Sequence, residues 1–270
     1  MLSKIPNTGY KMNIFSETTS NKSDTFSLKI RNPLGGTPQL NFWGSRCEYD
    51  TLTDVLLGPI ENYEWLETSS VSKKSFRRGA VFNKSIAKEQ YDEMVSAYES
   101  AGVNVHLLES DPELPYQVFA RDSSFMTPFG AIITSMAQPW RKGENFRAIE
   151  TYAKLNIPIY DYVTAGTFEG GDFNIIEPGC ALIGWEGREG RSEEKAALQL
   201  KNWFEAEGWE IFTVDLDPFF VHIDLMVVML SEKLAAACLD TIDPSVINWL
   251  KSKKIRIIPV PFTETLDLGC

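Results

Sequence analysis

Residues 172–185, DFNIIEPGCALIGW, consist of two apolar runs on either side of a Glu-Pro-Gly turn. Two short apolar runs joined by Pro and Gly are typical of a β-hairpin. An amphipathic stretch with the spacing of a helix follows at 192–208, and a further apolar run begins at Trp209. The stretch therefore predicts a unit of two strands, a helix and a third strand, in the order ββαβ.

The same order recurs along the chain. Phe125, Phe173 and Leu225 open equivalent hairpins at spacings of 48 and 52 residues. The other copies lie at 124–136 with a helix at 144–156, at 224–239 with a helix at 244–254, and, less regularly, at 54–59 with a helix at 85–102. A regular period of about 50 residues is typical of radially repeated architectures. We therefore predict an α/β fold in which ββαβ units, or sectors, form a ring.

The repeat also predicts the domain organisation. Residues 1–40 are polar and show no sustained periodicity, so we expect them to form an N-terminal arm or extension. Four sectors and the start of a fifth then occupy residues 41–270, because one more period after Leu225 falls at about residue 275. We expect the rest of the fifth sector to be missing from this chain, which leaves strand edges exposed.

The composition limits the partners and the compartment. A net charge of −11 argues against nucleic acid and anionic membranes, because both require a basic surface. No apolar run reaches the roughly 18 residues of a membrane span, and the N-terminus lacks the apolar core of a signal peptide. The four cysteines lie far apart, without a zinc-binding pattern. We therefore expect a cytoplasmic protein with free thiols, no metal and no other cofactor.

Only two histidines are available for catalysis. His106 alternates with apolar residues in VNVHLLE, which favours a structural role. His222 and Asp224 lie two residues apart in FFVHIDLMVVML and therefore share one face of a predicted strand. A charged pair at the mouth of an apolar strand is costly to bury without a purpose. His222 is therefore the candidate general acid and base.

Two further acidic groups occupy equivalent positions in their repeats. Asp122 directly precedes one hairpin, and Glu169 precedes the next. Considered singly, each acid could merely cap a turn such as the one at 170–171. Because a ring brings equivalent positions together near its axis, we expect Asp122, Glu169 and the His222–Asp224 pair to converge. Carboxylates around one imidazole suit a planar guanidinium, which they bind through paired hydrogen bonds.

Six motifs in order along the chain resemble the guanidino-group modifying superfamily, which comprises arginine deiminases, dimethylarginine dimethylaminohydrolases, arginine dihydrolases and amidinotransferases. The motifs are YDTLTDVLLGP (49–59), ARD (120–122), WRKGE (140–144), FEGGD (168–172), GREGRSEE (187–194) and HID (222–224). Each motif alone is weak, whereas their combination is specific. The resemblance implies a pseudo-fivefold ββαβ propeller with a central site. The ARD and HID motifs are similar to those of the deiminase and amidinotransferase branches.

The resemblance also implies roles for single residues. Asp122 and Asp224 would hold the guanidinium group, and Glu169 would orient His222. The residues that would bind the carboxylate of the substrate are Arg141 and Arg191. A cysteine thiolate would attack the guanidinium carbon, so the implied activity is hydrolysis of arginine or a related guanidino compound through a covalent thiouronium intermediate.

Cys270, at the end of LDLGC, could be that nucleophile or a residue that opens the fifth sector. The segment is similar to the one that opens the fifth sector in the superfamily, and nothing local to it lowers the pKa of the thiol. We therefore expect the nucleophile about one period downstream. On this interpretation the 270-residue chain is inactive, and a chain extended by about 45 residues is active.

Three functions stay open on the sequence alone. The first is hydrolysis, the second is transfer of the amidino group to an amine, and the third is guanidinium binding without catalysis. All three predict a small guanidino compound as the partner. The sequence leaves the exact substrate open, and it is compatible with a homo-oligomer.

Overall fold

The chain folds into small sheets, each with a helix that connects two parallel strands. The structure is a computed structural model that describes residues 29–67, 70–187, 190–217 and 220–268. Four sheets form over these ranges. In the described part of the chain, no helix is both long enough and apolar enough to cross a membrane.

The first unit is a two-stranded parallel sheet. Its strands are β1 (Asp54–Leu57) and β2 (Asn104–Leu107), and between them lie α1 (Ser70–Arg77) and α2 (Lys84–Ser100). Every residue of β1 is only partly buried, and α2 has no buried residue. The first unit therefore adds little to the core.

The other three units each have an antiparallel hairpin, a helix, and a third strand parallel to the second. The second unit comprises α3 (Ala120–Ser123), β3 (Ser124–Thr127), β4 (Gly130–Ile133), α4 (Glu144–Lys154) and β5 (Ile159–Tyr162). The third comprises β6 (Phe173–Glu177), β7 (Cys180–Glu186), α5 (Glu194–Ala206) and β8 (Glu210–Leu216). The fourth comprises β9 (Val227–Ser231), β10 (Leu234–Ala237), α6 (Pro244–Ser252) and β11 (Arg256–Pro259). The α/β prediction and the ββαβ repeat are confirmed, whereas the closed ring and the number of sectors stay predictions.

The hairpin of the second unit shows why its turn needs glycine. Gly130 has a φ of 134°, and a Cβ there would lie 2.6 Å from the carbonyl oxygen of Pro158. The hydroxyl of Thr127 accepts from the backbone N–H of Phe129 at 3.1 Å and donates to the carbonyl of Gly130 at 2.7 Å. A side chain at position 130 would push β4 away from the strand beside it.

Two apolar cores join the three-stranded units. Between the second and third units, Phe125 stacks on Phe173 with ring centroids 4.6 Å apart, and Phe204 lies 4.9 Å from Phe173. Between the third and fourth units, Leu182 and Val227 are both fully buried. Burial of a large apolar side chain contributes about 1.5–3 kcal/mol. These cores hold the mouths of neighbouring hairpins together, since the turn before β6 contacts both α3 and the turn before β9.

The described part of the predicted N-terminal arm lies against the second unit. The backbone N–H of Ile30 donates to Ile159 at 3.0 Å, and that of Leu40 donates to Pro128 at 2.7 Å. The guanidinium of Arg31 donates to Asp161 at 2.5 Å. Residues 29–40 are therefore bound to the body of the protein, and the rest of the arm, residues 1–28, lies outside the described residues.

The chain continues beyond β11 into a helix, α7 (Phe262–Leu268). In its first turn the backbone N–H and the hydroxyl of Thr265 both approach the carbonyl of Pro261, at 3.1 and 3.4 Å. The segment LDLGC, residues 266–270, is the one expected to open a further sector. Because α7 includes residues 266–268, that part is helical, and Cys270 lies outside the described residues.

Candidate functional site

The segments that precede β3, β6 and β9 meet at one place. Asp122 lies in α3, Asp172 ends a 3₁₀ turn before β6, and His222 precedes the turn Ile223–Leu225 before β9. His222 Nε2 lies 3.5 Å from Asp122 Oδ1 and 3.4 Å from Glu169 Oε2. The structure thus brings together three of the residues that the repeat pattern placed at equivalent positions.

The imidazole of His222 is buried and is oriented by Asp172. Its Nδ1 lies 3.0 Å from Asp172 Oδ2. The same carboxylate accepts from the Ser192 hydroxyl at 2.5 Å and from the backbone N–H of Ile223 at 2.9 Å. The ring packs on Gly171, where a Cβ would lie 2.7 Å from His222 Cγ. A glycine at position 171 is therefore required for this position of the ring.

Glu169 lies beside Nε2 of the imidazole. The resemblance implies that Glu169 orients His222, but the residue hydrogen-bonded to Nδ1 is Asp172. Glu169 precedes the Gly-Gly turn and Asp172 ends it, which directs the two carboxylates to different nitrogens. Among the described residues, Nε2 has no hydrogen-bond partner. The signal for Asp172 was present in the sequence, as the last residue of FEGGD.

The surrounding carboxylates favour a charged imidazole. Burial by itself lowers the pKa of His222, but the charges of Asp172 and Asp122, the hydrogen bond with Asp172 and the nearby carboxylate of Glu169 raise it well above its ordinary value. Burial raises the pKa of Glu169, but the nearby imidazole of His222 and two nearby arginines outweigh burial and lower that pKa to about 2. An imidazolium between ionised carboxylates is therefore the favoured state.

Arg141 points into the cluster and not toward solvent. Its Nε and Nη2 both donate to Glu144 at 2.8 Å, and its Nη1 donates to Asp122 at 2.7 Å. The same Nη1 lies 3.5 Å from Glu169. The residue is 2% exposed. Its expected task of binding the carboxylate of a substrate does not fit this position, because three carboxylates of the chain already surround the guanidinium.

Glu144 was missed in the sequence analysis, although it ends the WRKGE motif. Burial raises the pKa of Glu144 to about 7, even though hydrogen bonds with Arg141 lower it. The bidentate pair of Glu144 and Arg141 fixes the plane of the guanidinium.

Arg191 and Asp224, two further predicted site residues, also take part in acid–arginine pairs. Arg191 Nη1 donates to Glu169 at 3.0 Å, and its side chain is 13% exposed. Asp224 Oδ2 lies 3.2 Å from Arg121 Nε. Burial raises the pKa of Asp224 to about 6, and the charges of Arg121 and His222 oppose that shift. Three arginines, Arg121, Arg141 and Arg191, are thus each paired with acids around one histidine.

The comparison with protein families agrees with this arrangement. The family model described as eukaryotic N,N dimethylarginine dimethylhydrolase matches residues 66–270. The chain belongs to this family. The resemblance to the guanidino-group modifying superfamily is thereby confirmed.

Related sequences extend across two kingdoms of life. The protein YkgA of Bacillus subtilis is 30% identical over 224 residues, which cover 83% of this chain and 75% of that protein. The protein ZK1307.1 of Caenorhabditis elegans is 30% identical over 148 residues. That match covers 54% of this chain and 51% of the nematode protein, so it spans about half of each.

Solved structures share the fold. DDAH from Pseudomonas aeruginosa, in a complex with citrulline, has a TM-score of 0.64 at 21% identity and covers 81% of this chain and 80% of its own. An amidinotransferase from Microseira wollei has a TM-score of 0.66 at 16% identity, with coverage of 81% and 76%. The N-terminal domain of a cyanobacterial arginine dihydrolase has a TM-score of 0.65 at 18% identity, with coverage of 80% and 77%.

This member of the dimethylarginine dimethylhydrolase family has a cavity of about 780 Å³ beside the acid–arginine pairs. Arg121 and Asp224 line it, together with Glu48, which accepts from Arg121 at 3.1 Å. Phe125 and Phe173 form part of its apolar wall. The cavity therefore combines charged groups with an apolar surface, as small-molecule sites do.

Within the described ranges, two groups of side chains have atoms close enough together to hold a metal ion. The groups are Asp122, Glu169 and His222, and Asp172, Glu186 and His222. Arg141 and Arg191 already pair with the carboxylates of the first group. In the second, both oxygens of Asp172 accept hydrogen bonds from the chain. Donors of the protein thus occupy most of the oxygens that a metal would need.

Three cysteines lie among the described residues. Cys47, Cys180 and Cys238 are buried and free. Cys180 starts β7, and burial raises the pKa of its thiol to about 11. Burial also raises the pKa of Cys47. Neither thiol has the lowered pKa of a reactive cysteine.

Proposed function

We propose that the protein hydrolyses the guanidino group of arginine or of a related guanidino compound. The observation that carries the proposal is the buried imidazole of His222, which has Asp172 at Nδ1 and two carboxylates at Nε2. Such a set can bind a cation and move a proton at the same place. Membership of the dimethylarginine dimethylhydrolase family supports the guanidino group as the cation.

The substrate guanidinium would lie against Asp122 and Asp224. Each carboxylate is paired through one oxygen with an arginine of the chain, Arg141 or Arg121, at 2.7 and 3.2 Å. These arginines favour the ionised carboxylates, and the second oxygen of each stays available for a ligand. The resemblance implies Arg141 and Arg191 as the residues that bind the carboxylate of the substrate. The side chain of Arg191 is the more exposed of the two, so we propose Arg191 alone for that role.

In the first chemical step a cysteine thiolate attacks the guanidino carbon, and the C–N bond to ammonia or an alkylamine breaks. The imidazolium of His222 donates its Nε2 proton to the leaving nitrogen. The amidino group remains on sulfur as a thiouronium. Asp172 accepts no proton but keeps Nδ1 protonated and the ring oriented, and Glu169 stabilises the charge at Nε2.

In the second step the neutral His222 removes a proton from water through Nε2. The hydroxide adds to the thiouronium carbon, the hydroxyl proton of the intermediate passes to solvent, and the C–S bond breaks. A ureido product leaves, and the thiolate is restored together with the imidazolium. Each step uses the same ring nitrogen, which has no other hydrogen-bond partner among the described residues.

On this proposal, the attacking thiolate belongs to a residue outside those that the structure describes. We assign it to a cysteine downstream of Cys270, within a fivefold propeller of which residues 41–270 form four sectors and the start of a fifth. The three ββαβ units and the smaller first unit support that architecture. The test compares the 270-residue chain with one extended by about 45 residues. Cys270→Ser should leave the extended protein active, and loss of a downstream cysteine should abolish turnover.

The activity is tested by incubation with arginine and with N,N-dimethylarginine, with and without glycine. A ureido product with release of ammonia or dimethylamine supports hydrolysis. Transfer of the amidino group to glycine would instead identify an amidinotransferase. Binding without any product in the extended chain would identify a non-catalytic binding protein.

Matched variants test the site. His222→Gln should abolish turnover, whereas His106→Gln alters the other histidine, which is paired with Asp54 in the first unit, and should have little effect. Asp122→Ala and Asp224→Ala should each cost at least about 1.5 kcal/mol in transition-state binding, measured as kcat/KM. Unchanged kinetics in both aspartate variants would contradict the assignment.

A further inference from the structure

Glu186 is a buried carboxyl group at the end of β7 that the proposed reaction does not use. It is 1% exposed. Its backbone N–H donates to the carbonyl of Ser192 at 2.8 Å, so the chain leaves β7 at Glu186 and returns to the same place six residues later. Glu186 therefore stands at the base of the turn that contains part of the GREGRSEE motif.

The side chain of Glu186 fills the inside of this turn. Its Oε2 accepts from the backbone N–H of Arg191 in a short hydrogen bond and lies 3.4 Å from that of Ser192. Gly190 packs directly on it, since a Cβ there would lie 2.1 Å from Glu186 Oε2. One carboxylate oxygen thus receives two consecutive backbone amides, and a larger residue at position 190 would displace it.

The two residues that Glu186 holds are those that contact the acids around the histidine. Arg191 Nη1 donates to Glu169 Oε2 at 3.0 Å. The hydroxyl of Ser192 donates to Asp172 Oδ2 at 2.5 Å and accepts from the backbone N–H of Glu169 at 3.1 Å. Glu169 and Asp172 in turn face the two nitrogens of the ring. The contacts form a continuous path from Glu186 to the imidazole.

The second carboxylate oxygen of Glu186, Oε1, differs from Oε2 in its surroundings. Oε1 is buried and has no hydrogen-bond partner among the described residues. Burial and the charge of Asp172 raise the pKa of Glu186 to about 7, while the amides of Arg191 and Ser192 and the charge of His222 oppose this shift. A buried carboxyl with one unsatisfied oxygen is costly. A structural role for Oε2 would account for a carboxyl group at this buried position.

We propose that Glu186 is a positioning residue of the site: it fixes Arg191 and Ser192 so that they hold Glu169 and Asp172 at the two nitrogens of the imidazole. The importance of this role for catalysis rests on the proposed function. The contacts of Glu186 are independent of that function, and they can be measured without a substrate.

The test uses NMR on the full 270-residue chain with three variants. Glu186→Ala removes the acceptor, Glu186→Gln keeps an oxygen at the same place, and Glu177→Ala changes a glutamate that ends β6 and pairs with Lys233. The Glu186→Ala variant should show exchange of the Arg191 and Ser192 amides at least about tenfold faster than wild type. The other two variants should keep the protection of wild type.

The second readout is the imidazole of His222. The chain has only two histidines, so the ring signals of His222 can be assigned with His106 as an internal reference. Glu186→Ala should shift the Nδ1–H signal of His222 and leave His106 unchanged, since the Asp172 carboxylate loses the positioned Ser192 hydroxyl. Glu186→Gln should restore the wild-type signal. A merely structural role would not move one histidine alone.

Unchanged amide exchange and an unchanged His222 signal in Glu186→Ala would overturn the proposal. Equal effects of Glu186→Ala and Glu177→Ala would overturn it as well, since they would reflect a general loss of stability. If Glu186→Ala does not fold, Glu186→Gln decides: retained protection supports the role, and loss of protection contradicts it. Titration with arginine in the same samples tests the proposed function separately, because failure of wild type to bind leaves both NMR readouts valid.

Discussion

The first and third units contain the same element, a helix between two parallel strands, but they differ in burial. In the third unit, β7 has hydrogen-bonded neighbours on both sides, and six of its seven residues are buried. In the first unit, β1 has β2 as its neighbour among the described strands, and all four of its residues are only partly buried. The antiparallel inner strand makes the difference, because it closes one edge of the middle strand and brings an apolar face against the next unit.

The two crossover helices differ in the same way. The 17-residue α2 is capped by Asn83, whose side chain accepts from the backbone N–H groups of Ser85 and Ile86 at 3.0 and 3.2 Å. It buries no residue. The 13-residue α5 has no side-chain cap but buries five residues. Local interactions therefore carry more of the stability of α2, and tertiary packing carries that of α5.

Arg141→Ala should cause the largest loss in the free energy of unfolding, because Arg141 lies in the well-buried part of the protein. It removes the cation shared by Asp122, Glu144 and Glu169, and breaking a buried pair from one side costs about 3–5 kcal/mol. The control is Arg147→Ala in α4. It breaks a partly exposed ion pair with Asp111, which lies in the segment after β2. That loss should be much smaller, because an ion pair in contact with water contributes little to stability. Urea unfolding measures both, and equal losses would contradict the contrast.

The helices themselves provide the next test. Leu200 in α5 is fully buried, and Met94 in α2 is 38% exposed. Leu200→Ala should lower the free energy of unfolding by about 2–5 kcal/mol because it leaves a cavity. Met94→Ala should lower it by less than about 1 kcal/mol. A large loss for Met94→Ala would show that α2 is buried in solution against something that the described residues do not include.

The charge on His222 makes the stability of the site depend on pH. Its pKa is raised in the folded protein, so the stabilisation from its protonation is complete below the unfolded value of about 6.5. It is lost as the pH rises through the folded value. The difference in free energy of unfolding between wild type and His222→Gln should therefore shrink as the pH rises above about 6.5. Growth of that difference with pH would contradict the assigned shift.

Asn83→Ala should give the smallest effect, because it removes only the cap of α2. The expected local loss is about 1 kcal/mol. Hydrogen exchange should report faster exchange of the α2 amides, with the urea midpoint of the whole chain nearly unchanged. A large shift in the midpoint would mean that α2 unfolds together with the three-stranded units.

The repeat could be predicted from the sequence because it depends on patterns that extend over a few residues. A glycine or proline between two apolar runs defines a hairpin, and apolar spacing near 3.6 defines the helix that follows. The convergence of Asp122, Glu169 and His222 followed from their equivalent places before three successive hairpins. The residues that support them, Glu144, Ser192 and Glu186, could not be found in this way, since they lie after the hairpin turns and not at the positions before the hairpins that the repeat brings together.

The sequence by itself thus determined the ββαβ units and the hairpin mouths that form the site, because both arise from neighbours along the chain. Only the tertiary structure decided which carboxylate each long side chain meets. Arg141 pairs with Glu144 and Asp122 within the protein, and Asp172 takes the Nδ1 side of His222. An arginine can reach acids in any direction over several ångströms, so its partner depends on which acids the packed units bring near and on how far water is excluded there.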